Sequence, residues 1–115
     1  MPETLPKSER LCGKTAVAAL FEHGKSFAQG CLRCRYILRP EQPASRIVVS
    51  VPKRSFKRAV KRNLLKRRIR ESYRRQKALL PSSADILFIY TAHEPMPYEV
   101  VSADMSAILS KIGRE

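Results

Sequence analysis

The feature that most constrains this chain is the stretch from Lys53 to Lys77, K-R-S-F-K-R-A-V-K-R-N-L-L-K-R-R-I-R-E-S-Y-R-R-Q-K. It holds thirteen of the 23 lysines and arginines, a single acid (Glu71), and no glycine or proline. Almost all of the net charge of +13 therefore sits on one element, because the remaining basic and acidic side chains nearly cancel. A solvated tail would be basic throughout, but Val60, Leu64, Leu65, Ile69 and Tyr73 interrupt this run. Lys, Arg, Leu, Glu and Gln are good helix formers. At about 100° per residue, Leu65, Ile69, Gln76 and Leu80 share one arc, with Tyr73 beside it. Asn63, Lys66, Arg67, Arg70, Arg74 and Lys77 fill an adjacent arc, and Lys61, Arg68 and Arg75 form a second row on the other flank. The pattern predicts a helix over 58–76, packed on one side and positive on the rest. Ordinary solvated faces mix both signs, so this one reads as a polyanion-binding surface.

A chain of 115 residues fits one domain with one modest core. Its apolar fraction of 43% is that of a folded protein, which argues against global disorder despite the charge. No apolar run approaches the roughly 20 residues of a membrane span, and the amino end lacks a signal-peptide pattern. An odd count of three cysteines, with no export signal, predicts reduced thiols in the cytoplasm. Residues 1–10 are expected to be extended or flexible, and 11–115 to form one polyanion-binding domain.

A helix is expected over Gly13–His23, with Val17, Leu20 and Phe21 on one face and Gly24 as terminator. Lys25–Gln29 reads as a short strand and Cys31–Leu38 as a firmer one, by alternation. Arg46–Val51 is β-branched and reads as a central strand that Pro52 ends. Asp85–Ala92 is a continuous apolar run, expected to be an inner strand buried on both faces. Pro97 fits a first-turn position. Val101, Met105, Ile108 and Ile112 mark one face of a last helix. The fold class is α/β, a two-layer α+β arrangement: a small mixed sheet of about four strands, three helices, and the basic helix in a strand–helix–strand crossover.

Catalytic chemistry is hard to place on these residues. His23 and His93 sit at element ends, with no nucleophile in a recognisable motif beside them. Cys31 and Cys34 lie three apart, which within a strand puts them on opposite faces, and a structural zinc needs four ligands. The acids are scattered, and no glycine-rich phosphate loop exists. The expected catalytic and metal-ligating sets are empty. A membrane-surface helix would need its apolar stripe free, whereas here the sheet needs it. A DNA-reading helix-turn-helix needs two adjacent helices, so DNA and membrane partners are not expected. RNA fits the pattern better.

The stretch V-S-V-P-K-R-S-F-K-R-A-V-K-R-N-L-L-K-R-R-I-R-E-S-Y-R (49–74) resembles the signature of the bacterial ribonuclease P protein component. Arg10-Leu11, Leu20-Phe21-x-His23-Gly24-Lys25-Ser26 and D-I-L-F-I extend the resemblance over most of the chain. The resemblance implies a cytoplasmic ribonucleoprotein that removes the 5′ leader from precursor tRNA. Its RNA subunit hydrolyses the bond with magnesium, and the protein binds that RNA and the single-stranded leader. It also implies a left-handed crossover through the basic helix, where general rules expect the opposite hand. Arg62, Asn63, Lys66, Arg67 and Arg70 match the family's Arg-Asn-Arg helix facing the catalytic RNA, with Leu64 in place of its second arginine. Lys53, Arg54, Lys57, Arg58, Lys61, Arg74 and Lys77 complete the candidate RNA-binding set from the basic stretch. Arg10 and Phe21 match positions in the family's leader cleft. Val17 stands where an aromatic is common, Gly13 where a lysine is, and Arg35 where a tyrosine is. Lys14, Arg33, Arg35 and Tyr36 are candidates to compensate. The alternative class is a small ribosomal or other structural RNA-binding protein of the same fold.

Overall fold

The computed structural model describes residues 14–42, 45–80 and 83–112, with side chains described from residue 17 onward. The elements run α1 (Lys14–His23), β1 (Lys25–Gln29), β2 (Leu32–Leu38), β3 (Arg46–Ser50), α2 (Ala59–Gln76), β4 (Ala84–Tyr90) and α3 (Tyr98–Lys111), with a short 3-10 turn at Lys77–Leu79. The strands form one sheet in the order β1-β2-β4-β3. β1 pairs with β2 and β2 with β4 antiparallel, while β3 and β4 run parallel. This is the mixed four-stranded sheet with three helices that the sequence predicts.

One strand sits elsewhere than expected. The β-branched run beginning at Arg46 reads as central, yet β3 is an edge strand, because β4 inserts between it and β2. β3 buries only Ile47 and Val49, whereas β4 is buried everywhere except at half-buried Ile89. β-branched content reports fit to a pleated surface, not position within the sheet.

Alternation divides the sheet into two faces. Leu32, Cys34, Tyr36, Ile47, Val49, Ile86, Phe88 and Tyr90 join Leu65, Ile69 and Tyr73 of α2 and Val101, Met105 and Ile108 of α3 in the main core. On the other face Leu20 of α1 packs with Leu87, flanked by Ile37, Val48 and Ile89. Thus α2 and α3 cover one face and α1 covers part of the other.

The hand of the crossover follows from the hydrogen bonds of β4. Thr91 N–H bonds Cys31 O, and Arg39 N–H bonds Ser83 O. The odd-numbered residues of β4 therefore exchange bonds with β2, leaving Ile86, Phe88 and Tyr90 to bond β3. In an L-chain running upward, a residue whose side chain faces the viewer turns its N–H and C=O to the viewer's right. Seen from the α2 side, β3 then lies to the right of β4. The chain passes from β3 over the sheet through α2 and moves left to β4, a left-handed crossover, against the usual preference.

The hairpin between β1 and β2 turns at Gly30 and Cys31. Gly30 has φ +56° at the first central position, as a type II′ turn requires. A Cβ there would press on the Asp104 carboxylate of α3 and force it to shift. Asp104 accepts from the Cys31 N–H (3.0 Å) and from its thiol (3.1 Å), tying the hairpin to α3. Cys31 thus lies in the turn rather than in a strand. It and Cys34 are buried in the same cluster, not on opposite faces of one strand. Across the sheet, the buried Asp85 carboxylate takes a two-pronged contact from Arg46 (3.0 and 2.9 Å), with Gln42 at 3.3 Å and Arg39 at 3.6 Å. A buried carboxylate needs such partners.

Ile69 is fully buried and Val60 is 79% exposed on the same helix. Ile69→Ala is expected to cost about 2–5 kcal/mol and Val60→Ala no more than about 0.5 kcal/mol. Urea unfolding of both variants checks this, and similar losses would mean that α2 is rotated from the orientation described.

Burial, reinforced by the Asp104 carboxylate, pushes the Cys31 thiol up from 9.0 to about 12. The folded chain holds that proton more tightly than the unfolded chain. Its contribution to stability is therefore complete below about pH 9 and lost as pH rises toward about 12. The stability difference, wild type minus Cys31→Ser, should fall across that window in denaturation midpoints taken at a series of pH values. A constant difference would contradict it.

Candidate nucleic-acid interface

The basic stretch forms α2 and the loop before it, close to the predicted bounds. Leu65, Ile69, Ser72 and Tyr73 face the core, and Gln76 reaches α3, where its amide donates to the Ser102 carbonyl at 3.0 Å. That contact fixes the rotation of the helix. Asn63, Arg67 and Arg70 are then exposed on the outward face, with Lys66 half-buried beside them. Lys66 and Arg67 make no side-chain hydrogen bond or ion pair with other described residues. Lys53, Arg54, Lys57, Arg58 and Lys61 are exposed in the loop and first turn, and Lys77 is exposed just beyond the helix. Leu64, in place of the family arginine, is 38% exposed, and Val60 stands one turn before it.

Several basic side chains on this stretch serve the protein itself. The Arg62 guanidinium donates to Phe56 O (2.8 Å) and Lys57 O (2.9 Å), folding the loop onto the helix. Arg74 donates twice to Glu71 (2.8 and 3.0 Å), and Arg75 donates to the same carboxylate at 2.6 Å. Arg68 donates to Met96 O in the loop before α3. Of the predicted RNA-binding set, Arg62 and Arg74 therefore have internal partners. The Glu71 pairs, three and four residues apart on one helix, are legible in the spacing, whereas the carbonyl partners of Arg62 and Arg68 are not.

The predicted cleft residues divide between the two sheet faces. Arg33 and Arg35 project on the α1 side, where Arg33 donates to Ser26 Oγ at 3.2 Å. The Arg35 guanidinium lies 5.0 Å from the centroid of the Phe21 ring and donates to the carbonyls of Leu20 (3.5 Å) and Phe21 (3.4 Å). It thereby serves the last carbonyls of α1, where a cation is favourable. Phe21 is 53% exposed, so it is a surface ring and not a core residue. Tyr36 does not join them. It is 2% exposed on the opposite face, edge-on to Phe27 at 6.1 Å between centroids. Position 36 shares the parity of Cys34, and the strand period sends both to the α2–α3 side. Arg10 and the Lys14 side chain lie outside the described residues.

Among the described residues, no group of three or more His, Cys, Asp or Glu is placed to hold a metal ion. The Cys31 thiol, held protonated and donating to Asp104, is a structural group rather than a nucleophile. A feature that the residue pattern does not reveal is a groove between the loop before α2 and the loop before α3. Lys57, Arg58 and Lys61 stand on one side and His93, Glu94 and Pro95 on the other. These segments are far apart in sequence, and only the sheet brings them together.

The sequence model of the Ribonuclease P family matches residues 5–113. The chain is 38% identical over 117 residues to the ribonuclease P protein component of Porphyromonas gingivalis, covering 94% of this chain and 85% of that one. It is 42% identical over 81 residues to the Chlorobaculum tepidum component, covering 66% and 53%. Among solved structures, the RNase P protein from Thermotoga maritima superposes with a TM-score of 0.79 at 27% identity, over 90% of this chain and 97% of that one. With a family match along nearly its whole length and a fold shared with a solved member, this chain belongs to the ribonuclease P protein family.

Proposed function

We propose that this chain is the RNA-binding protein subunit of a ribonuclease P that removes the 5′ leader from precursor tRNA in the cytoplasm. The catalytic RNA subunit performs the hydrolysis, with magnesium bound at the RNA's own active site. The observation that carries the reading is α2: one face is committed to the core, and the opposite face presents Asn63, Lys66 and Arg67 with no acid between them. Phosphate contacts from such a row position a protein on RNA. The exposed Phe21 ring and the Arg35 guanidinium beside it supply flat surfaces of the kind on which single-stranded bases stack. That site is the candidate leader contact. The family match favours this role over a ribosomal or other structural RNA-binding one.

Reconstitution tests the reading directly. The purified chain is expected to restore cleavage of precursor tRNA to a bacterial ribonuclease P RNA at low magnesium, and to cleave nothing when RNA is rigorously removed. Failure to support the RNA subunit, or cleavage by the protein alone, would overturn it.

Face dependence is a second test. About six phosphate contacts give a log–log salt slope near −5. Arg67→Ala should weaken binding to the catalytic RNA about tenfold and flatten the slope by about one. Lys111→Ala removes equal charge from the end of α3 and should change neither quantity appreciably. Salt-series titrations measure both, and equal losses would leave long-range attraction as the whole effect.

A further inference from the structure

We propose that Val60 and Leu64 form an apolar ridge that seats α2 in the shallow minor groove of a double-helical segment of the catalytic RNA. The ridge lies against the sugars, and basic side chains on either side of it meet the two phosphate backbones. The inference rests on the RNA-binding reading above and adds what α2 docks into. Val60 is 79% and Leu64 38% exposed, and they are the exposed large apolar side chains of the helix. At about 100° per residue, Val60, Leu64 and Glu71 fall on one line along the outer face, turned away from Leu65 and Ile69. At that exposure Val60 contributes little to the fold, and valine is a poorer helix former than the lysines and arginines around it. Leu64 stands in place of the family arginine, so the ridge puts an apolar contact where a charged one is expected.

The line is neutral and its flanks are positive. Glu71, the one acid of the basic stretch, is held by Arg74 and Arg75, so that line carries no unpaired charge. Asn63, Arg67 and Arg70 border it on one side. Lys61 borders it on the other, where Lys57 of the preceding loop stands with it. The side chains of Lys57, Lys61 and Arg67 make no ion pair or hydrogen bond with other described residues. Cations on two flanks with uncharged side chains between them match two phosphate backbones with sugars and base edges between them.

Charge and size decide among the occupants of such a ridge. A bilayer needs a broad apolar face, and that face of α2 is committed to the core. A protein partner needs roughly 800 Å² on each side with few charges at its centre, whereas this ridge is two side chains among lysines and arginines. RNA satisfies the cations and the apolar pair together. The minor groove of an A-form helix is wide and shallow and displays its sugar edges, while its major groove is too deep and narrow for side chains to reach into. In B-form DNA it is the major groove that admits a helix, and its floor shows bases rather than sugars. A single strand offers no second backbone for the other flank.

The test uses the whole chain, methyl-labelled at valine and leucine, titrated with a short RNA duplex, the DNA duplex of the same sequence, the unpaired RNA strand and a hexaglutamate peptide. The RNA duplex should shift the Val60 and Leu64 methyl signals more than any other probe and give contacts from them to ribose protons. Val60→Ala/Leu64→Ala should weaken binding to a bacterial ribonuclease P RNA about tenfold. Its salt slope should match that of wild type, because no phosphate contact is lost. An amide spectrum unchanged away from the ridge shows that the fold is intact. Lys61→Gln and Arg67→Ala should each flatten the slope by about one, since each flank meets its own backbone. Wild-type affinity in the double alanine variant would overturn the ridge, as would a flattened slope there. Methyl signals that move as far with DNA, the single strand or the peptide would overturn the minor-groove seat. A slope flattened by Arg67→Ala alone would put one backbone against α2 and overturn it too. The RNA-binding reading survives each of these results while Arg67→Ala still weakens binding. No binding of any RNA by the wild-type chain would defeat this inference and that reading together.

Discussion

Burial of Leu65, Ile69 and Tyr73 is the contact on which the rest of this molecule depends. These side chains are at most 1% exposed, and the Tyr73 ring stacks at a tilt on Phe88 of β4, 6.0 Å between centroids. Because they recur at helical spacing, burying them leaves only one rotation for α2. Turning the helix by one residue, about 100°, would carry Lys66 or Arg70 toward the sheet and desolvate a charge without a partner. The outward charge pattern is thus a consequence of apolar packing. No attraction to a ligand is needed to display it.

β4 extends that constraint to the loops. It is the inner strand, paired on both sides, and its two faces bury Phe88 and Ile86 toward α2 and α3 and Leu87 toward α1. Inserting it between β2 and β3 makes β3 and β4 parallel neighbours, which in turn places the loops leading to α2 and α3 side by side. The left-handed crossover puts α2 on the face that α3 also covers. The Phe21–Arg35 pair lies on the other face. The two candidate RNA-contacting regions are therefore separated by the thickness of the sheet.

Basic residues in this chain have two different uses. Arg62, Arg68 and Arg35 direct guanidinium groups at backbone carbonyls, and Arg46, Arg74 and Arg75 pair with acids. A guanidinium suits such work because its planar fork of donors reaches several acceptors at once. Lys57, Lys61, Lys66 and Arg67 have no such partner among the described residues. Net charge alone overstates what remains for an external anion, since part of it is neutralised or aimed inward.

The periodicity of the chain by itself determined the helix over Ala59–Gln76, its buried stripe, the inner character of the D-I-L-F-I strand and the outward row at Asn63, Lys66 and Arg67. Those are local properties: spacing along one element decides which side chains share a face. The place of β3 at the sheet edge was not local, because propensity does not encode which strand inserts beside it. That Tyr36 cannot share a face with Arg33 and Arg35 follows from the strand period, but which of the two sets faces α1 is decided by where the helices dock. The contact of Arg68 with the Met96 carbonyl and the groove facing His93 arise only when the chain closes, whereas Arg74 and Arg75 meet Glu71 three and four residues away on one helix. Sequence spacing specifies the pattern on each element, while contacts between elements decide which of those residues remain available to bind.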